Sequence, residues 1–406
     1  HLNSIMTKSG NSVLTNLSPI LPPAWLGILG GGQLGRMFIH EAQSLGYKVC
    51  VLDPDPLSPG GAVAEKHICA DYGDEKALNK MANLCAAVST EFENVPAKTL
   101  DYFQNKDIFV APMGRCVSIA QDRILEKEFL QQCSVLSGIG PAPHHVIKTQ
   151  SDLATVPTQL FPAILKTARM GYDGKGQVNV RDADELAVAW QGLGGNACVL
   201  EKRMPLAFEV SALIVRAHDG QVTAYPIAEN IHRNGILHTS TVPSPSLVKH
   251  PDVSKKIIGA SFEIAEKMAY VGVLCVEYFV LQDGSVLVNE IAPRPHNSGH
   301  YTMDASVTSQ FEQQVRAMAR LPLGDVTLME PVAMLNILGD VWFDKDQARE
   351  PAWHHVLAHP SAKLHLYGKA SPKLGRKMGH INCLGNGIQE AKDACAAVAH
   401  DLGIAP

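Results

Sequence analysis

The stretch from residue 25 to residue 53 constrains the fold most. Trp25-Leu26-Gly27-Ile28-Leu29 is an apolar run of strand length, and Gly30-Gly31-Gly32-Gln33-Leu34-Gly35 follows it directly. Over residues 36–45 the apolar positions Met37, Phe38, Ala42 and Leu45 recur at helical spacing. Gly46 is the residue type that closes a helix in a left-handed conformation. Lys48-Val49-Cys50-Val51-Leu52 is a second strand, with Asp53 behind it. Strand, crossover helix and strand make a βαβ unit, whose strands run parallel. The strand-like segments 86–90 and 108–110 continue the alternation, so a wound α/β domain is expected over residues 24–120.

Glycines between a strand and a helix let backbone N–H groups approach a phosphate, which the helix N-terminus also favours. Gly30, Gly32 and Gly35, with Asp53 after the next strand, have the spacing of a dinucleotide fingerprint. The pattern alone fits NAD or FAD, another phosphorylated ligand, or a structural turn. Composition narrows the classes. A net charge of −5 excludes a basic body that would hold nucleic acid or an anionic membrane surface. The richest apolar run, 270–280, is shorter than the ~20 residues of a membrane span and is broken by Glu277. Nine cysteines without C-x-x-C spacing point to reduced thiols and a cytoplasmic location. Residues 1–23 are expected to be an expression remnant and a disordered tail with no apolar signal segment. Residues 121–330 are expected to form a second domain, with a lid at about 145–205, and 331–406 a small β-rich domain.

Residues 276–290 are the most informative for chemistry. Asp283-Gly284 is a two-residue hairpin signal. Glu277 lies six residues before Asp283 and Glu290 six after Gly284, so the two face each other across the hairpin. Cross-strand partners have Cβ atoms ~4.5–5.5 Å apart. Two like charges so placed need a cation between them, and a hard divalent ion carrying a nucleotide phosphate is the common case. Lys166 ends a strand-like segment just before Gly171-Tyr172-Asp173-Gly174-Lys175-Gly176-Gln177, a glycine-rich lid candidate that lacks the P-loop spacing. Arg294, His296, Asn297 and His300 follow Glu290 closely, and Lys369, Arg376, Lys377 and His380 form a basic cluster further on.

These motifs resemble the ATP-grasp superfamily and, within it, the N5-carboxyaminoimidazole ribonucleotide synthetase family. The carboxylate pair and lysine carry the superfamily resemblance. The stretches His296-Asn297-Ser298-Gly299-His300 and Gly375-Arg376-Lys377-Met378-Gly379-His380 carry the narrower one, with Ser89-Thr90-Glu91-Phe92-Glu93-Asn94 and Ala120-Gln121-Asp122-Arg123. The resemblance implies an ATP-grasp fold behind a Rossmann-like first domain. It also implies roles. Arg123 and Lys166 would contact ATP phosphates, as would the loop Gly171, Tyr172, Asp173, Gly174, Lys175, Gly176 and Gln177. Glu201, Lys202, Arg203 and Met204 would read adenine, with Glu209 at the ribose and His232 and Asn289 nearby. Glu277 and Glu290 would hold Mg²⁺, or Mn²⁺ in its place. Gly32, Gln33, Leu34, Glu91, Tyr172, Asp173, Lys175, Asn297, Lys369 and Arg376 would bind 5-aminoimidazole ribonucleotide. Arg294, His296 and Lys369 would be catalytic. Lys175 stands where many relatives carry arginine, which keeps the charge and loses the fork geometry.

The implied reaction is ATP-dependent carboxylation of 5-aminoimidazole ribonucleotide by bicarbonate, through carboxyphosphate, in purine biosynthesis. A homodimer, and product transfer to the mutase that follows, are implied as well. The competing readings are an NAD-dependent oxidoreductase, an ATP-grasp enzyme with another acid or acceptor, and a catalytically inactive nucleotide-binding regulator.

Overall fold

The computed structural model describes residues 17–406. Residues 1–16, with the remnant expected before Met6, lie outside the described residues. The expected tail to residue 23 is corrected at its end: Ile20 is buried, and its carbonyl accepts from the Tyr47 hydroxyl at 2.6 Å.

The first domain is a five-stranded parallel sheet. Its spatial order is Lys66–Ile68, Lys48–Leu52, Trp25–Leu29, Ala87–Thr90, Phe109–Val110. The helix expected from residue 36 starts earlier, at Gln33, because Gly32 serves as its N-cap. Gly46 adopts the left-handed conformation foreseen for it, with φ +91°. Helix Gln33–Ser44 buries Met37, Phe38, Ile39 and Ala42 against this sheet and helix Gln310–Met318.

A four-stranded antiparallel sheet spans residues 144–202, in the order His144–Ile147, Cys198–Lys202, Ala163–Thr167, Gln177–Val180. Its apolar face packs on helix Ala183–Gly192 through Leu165, Leu186 and Trp190. Residues 203–205 then lead into strand Leu206–Arg216 of the largest sheet.

That sheet joins two regions that looked separate in the sequence. Its main path runs Val286–Ala292, Gly272–Leu281, Leu206–Arg216, Ala228–Arg233, Ile236–Val242, and then Val332–Leu338, Lys377–Leu384 and Ala362–Leu366. The C-terminal strands therefore extend the second domain's sheet, joined where Ile236–Val242 pairs with Val332–Leu338. Helix Pro251–Met268 covers one face through Ile257, Ile264 and Met268, and helix Ile388–Asp401 covers the C-terminal end.

Candidate active site

Glu277 and Glu290 are paired, as the hairpin argument requires, but by a different route. The turn holds three residues, Gln282 to Gly284, closed by Leu281 N–H donating to the Ser285 carbonyl at 2.8 Å. Near the turn the register is therefore one residue off: Tyr278 faces Val288 and Phe279 faces Leu287. A bulge at Asn289 restores it, and Glu277 faces Glu290. Bulges re-aim side chains beside functional sites. The bulged residue is held from behind, since Lys127 Nζ donates to the Asn289 carbonyl at 3.0 Å.

The pair opens into a cavity of ≈ 370 Å³. Arg123, Lys166, Glu209, His232, Asn289, Arg294, His296 and Asn297 share its wall, with Gly171, Tyr172, Asp173, Gly174 and Gln177 of the glycine loop. Burial and the neighbouring Glu290 push the Glu277 carboxyl far above its ordinary value. Burial acts the same way on Glu290, but its hydrogen bond with Glu277 and the charges of Arg123 and Lys166 outweigh it and hold Glu290 ionised. The carboxylates thus behave as a coupled pair competing for one proton. Among the described residues no group of three or more His, Cys, Asp or Glu is placed to hold a metal. Two carboxylates beside a roomy polar cavity fit Mg²⁺, which takes one or two carboxylates and completes its shell with phosphate and water.

The cations are anchored. Glu201 lies under the cavity, not at its wall, and takes Lys166 Nζ at 2.7 Å and Lys127 Nζ at 2.9 Å. Burial raises its pKa, yet the two ammonium groups hold it down at about 2. The side-chain oxygens of Glu201 are committed to the two lysines, which leaves its backbone for the adenine contact expected of this segment. Its segment, with Lys202, Arg203 and Met204, is the link between two sheets. Arg123 Nη1 meets Glu290 Oε2 at 3.3 Å, and His232 Nδ1 meets Glu209 Oε2 at 2.8 Å.

Arg294 forks onto Glu93, with Nε at 2.6 Å and Nη2 at 3.2 Å from its two carboxylate oxygens. His296 is clamped through its backbone. Its N–H donates to Gln310 Oε1 at 2.9 Å, and Gln310 Nε2 donates to its carbonyl at 2.8 Å. Burial and the charges of Arg294 and Lys377 lower the imidazole to about 3, so the ring is neutral at pH 7.

The glycine loop of the first domain holds no free anion cradle. Glu91 accepts from Gly32 N–H and Gly35 N–H, each at 2.7 Å, and Asp53 accepts from Gly31 N–H at 2.7 Å. The chain's own carboxylates occupy the donors that a dinucleotide phosphate would use, which removes the oxidoreductase reading. Burial lifts Glu91 to about 7 despite those two donors. Gln33, Leu34 and Glu91 line a second cavity of ≈ 250 Å³, which shares Tyr172, Arg294, Asn297 and Lys377 with the first.

The lid loop 170–177 lies across this junction. Gly174 packs on Gly235 so closely that a Cβ on Gly235 would sit 2.8 Å from the Gly174 Cα. Lys377 Nζ reaches Asp173 at 3.4 Å. Three expected ligands are not among the residues lining these two cavities. Lys175 turns back onto Tyr172, 3.2 Å from its hydroxyl. Lys369 Nζ donates to the Lys377 carbonyl at 2.6 Å beside a separate cavity, and burial and Arg376 bring it down to about 8. Arg376 is half-buried and donates to the Ser371 carbonyl. Gly176 sits at φ +71°, with Thr167 Oγ1 2.6 Å from where its Cβ would be.

Sequence reasoning assigned no role to Glu93, Lys127, Gln310 or Lys377. Lys127 was reachable, since it lies one helical turn past Arg123 on the same face. The Arg294–Glu93 fork spans 201 residues of chain and left no local signal.

Residues 24–121 match the ribonucleotide synthetase preATP-grasp domain family, 135–311 the ATP-grasp domain family, and 332–394 the phosphoribosylaminoimidazole carboxylase C-terminal domain family. The chain is 41% identical over 368 residues to the N5-carboxyaminoimidazole ribonucleotide synthase of Bacillus subtilis, covering 89% of this chain and 92% of that protein. The Brucella melitensis enzyme of the same name is 40% identical over 363 residues, covering 89% and 96%. The crystal structure of the Thermus thermophilus synthetase superposes with a TM-score of 0.85 at 36% identity, covering 94% of this chain and 99% of that one. The Aspergillus clavatus enzyme, solved with ADP and 5-aminoimidazole ribonucleotide, superposes at 0.83 with 29% identity, covering 94% and 98%. The chain belongs to the N5-carboxyaminoimidazole ribonucleotide synthase family of ATP-grasp ligases.

Proposed function

We propose that this chain converts ATP, bicarbonate and 5-aminoimidazole ribonucleotide into N5-carboxyaminoimidazole ribonucleotide, ADP and phosphate. The observation that carries the reading is the junction of two cavities, one walled by the Glu277/Glu290 pair with Arg123 and Lys166, the other by Glu91 and the first-domain loop. ATP takes the first and the ribotide the second. Arg294, His296 and Asn297 line the first cavity, and Arg294 and Asn297 the second as well, where a carboxyl group would pass between substrates.

A bicarbonate oxygen attacks the γ-phosphorus and ADP leaves. The resulting carboxyphosphate gives its carboxyl group to the ribotide amine, the amine proton is lost, and phosphate is released. Glu277 and Glu290 would hold Mg²⁺, or Mn²⁺, which neutralises phosphate charge when bound. Lys166 and Arg123 add fixed positive charge, and Arg294, held by Glu93, and the neutral His296 orient bicarbonate. The lid loop excludes water from a short-lived mixed anhydride. All nine cysteines are free and eight are buried, which supports a reducing, cytoplasmic setting. No helix of the described residues is long and apolar enough to cross a membrane. A homodimer, and product passage to the mutase, complete the proposal.

ADP release tests it, measured with ATP, Mg²⁺ and bicarbonate, with and without the ribotide. Strong stimulation by the ribotide that disappears when bicarbonate is removed is expected. No stimulation from folded, ATP-binding protein would overturn the assigned substrates and leave the ATP-grasp fold in place.

A further inference from the structure

His296 faces the cavity with one ring nitrogen and a buried polar chain with the other. Two donors converge on Nδ1. The Ser298 backbone N–H reaches it at 3.1 Å and the Ser298 hydroxyl at 2.7 Å. A backbone N–H has a proton to give and no lone pair to offer, so Nδ1 is the acceptor. In a neutral imidazole the proton then belongs to Nε2. Nε2 lies 3.8 Å from Glu277 Oε1, on the side where the cavity opens.

The Ser298 hydroxyl is itself set from behind. Ser211 Oγ donates to it at 2.8 Å, Asn230 Nδ2 donates to Ser211 Oγ at 3.0 Å, and Ser240 Oγ donates to Asn230 Oδ1 at 2.7 Å. Ser211, Asn230, Ser240 and Ser298 are all buried, at 4% exposure or less. Each of these donations runs along the chain toward the ring or satisfies the amide that does so. The four residues come from the 3₁₀ turn after Pro295 and from three neighbouring strands of the large sheet. Sheet register therefore sets the ring. Ser211 faces Glu277 across the sheet, so the same strand pair that presents the carboxylate presents the hydroxyl.

We propose that Ser298, Ser211, Asn230 and Ser240 form a positioning network that holds His296 in its Nε2–H form, so that it meets an anionic oxygen of bicarbonate or carboxyphosphate as a hydrogen-bond donor and not as a base. The proposal rests on the role given to His296 above. It assigns loss of the amine proton to another acceptor and gives His296 the orientation of the carboxyl group. Asn230 and Ser298 act through other residues and are positioning residues, as are Ser211 and Ser240. Breaking one hydroxyl link costs about the free energy of one hydrogen bond, or roughly tenfold in rate if it is felt only in the reacting complex.

The test combines a spectrum with kinetics. In ¹⁵N-histidine-labelled full-length protein, the His296 signals are identified by their loss in His296→Gln. An unprotonated Nδ1 and a protonated Nε2 are expected at neutral pH, and a proton on Nδ1 overturns the proposal without any network variant. Ser211→Ala interrupts the chain behind Ser298 and is expected to lower kcat about tenfold with the KM for ATP unchanged. Ser211→Thr, which keeps the hydroxyl, is expected to recover most of that loss. Folded Ser211→Ala with unchanged kcat and unchanged ring signals overturns the network's role. Ser240→Ala, at the far end, is the second variant should Ser211→Ala fail to fold. Wild-type turnover in His296→Gln overturns the role of His296 and with it the purpose of the network. A wild-type enzyme that the ribotide does not stimulate overturns the proposed substrates instead, while the ring assignment stands on the spectrum alone.

Discussion

Replacing Glu201 by glutamine removes one negative charge and leaves two buried cations. Lys127 and Lys166 each lie within 2.9 Å of its oxygens, and the three side chains are at most 11% exposed. The two ammonium groups, against the opposing effect of burial, hold the Glu201 carboxyl at about 2, compared with 4.5 for an unperturbed one. That gap corresponds to ~3 kcal/mol of stabilisation of the ionised form. Mutational experience with buried pairs that lose one partner gives a similar ~3–5 kcal/mol. Because the folded pKa is the lower one, this stability is fully present above about pH 4.5 and is lost as pH falls from there toward 2. Urea unfolding followed by circular dichroism at pH 7 should therefore show Glu201→Gln less stable by ~3–5 kcal/mol. The difference from wild type should shrink below pH 4.5. Lys166 also loses its anchor, so the KM for ATP should rise in the folded variant. A stability loss below ~1 kcal/mol at pH 7, typical of an exposed ion pair, would refute the reasoning.

Glu290→Gln is expected to abolish Mg²⁺-dependent turnover and to lower the unfolding midpoint at pH 7, because Arg123 loses its ionised partner and Glu277 the acceptor of its proton; retained turnover in the folded variant would reject the carboxylate pair as the metal site. Gly35→Ala would put a Cβ 2.4 Å from the Gly30 carbonyl oxygen. A loss of ~1–3 kcal/mol in thermal or urea unfolding is expected from such overpacking, and a variant as stable as wild type would show that the loop yields.

Local signals in the sequence reached most of the elements that shape the site. The βαβ unit and the glycine turn follow from periodicity and caps that act within a few residues. The Glu277/Glu290 pairing was legible too, although for an incomplete reason. A two-residue turn and a regular ladder lead to the same pair as a three-residue turn and a bulge at Asn289, because the two departures cancel. Bulge positions depend on what lies behind the strand, here Lys127 on a helix, and no hairpin rule contains that. The first glycine loop was legible as an anion cradle. That Glu91 would fill it depended on strand Ala87–Thr90 lying beside Trp25–Leu29.

What the sequence determined by itself is the set of chemical parts: a carboxylate pair, cations near it, a mobile glycine loop and an arginine–histidine stretch one turn beyond the strand. These are short-range patterns, and short-range sterics and hydrogen bonding suffice to specify them. Tertiary structure alone decided which parts meet. It joined the C-terminal strands to the central sheet, which brought Lys377 to the lid at Asp173. It set Glu93 against Arg294 and gave Glu201 two lysines from different elements. Those contacts join residues far apart in the chain, and they form only when burial of the sheet faces repays the entropy of closing the loops between them.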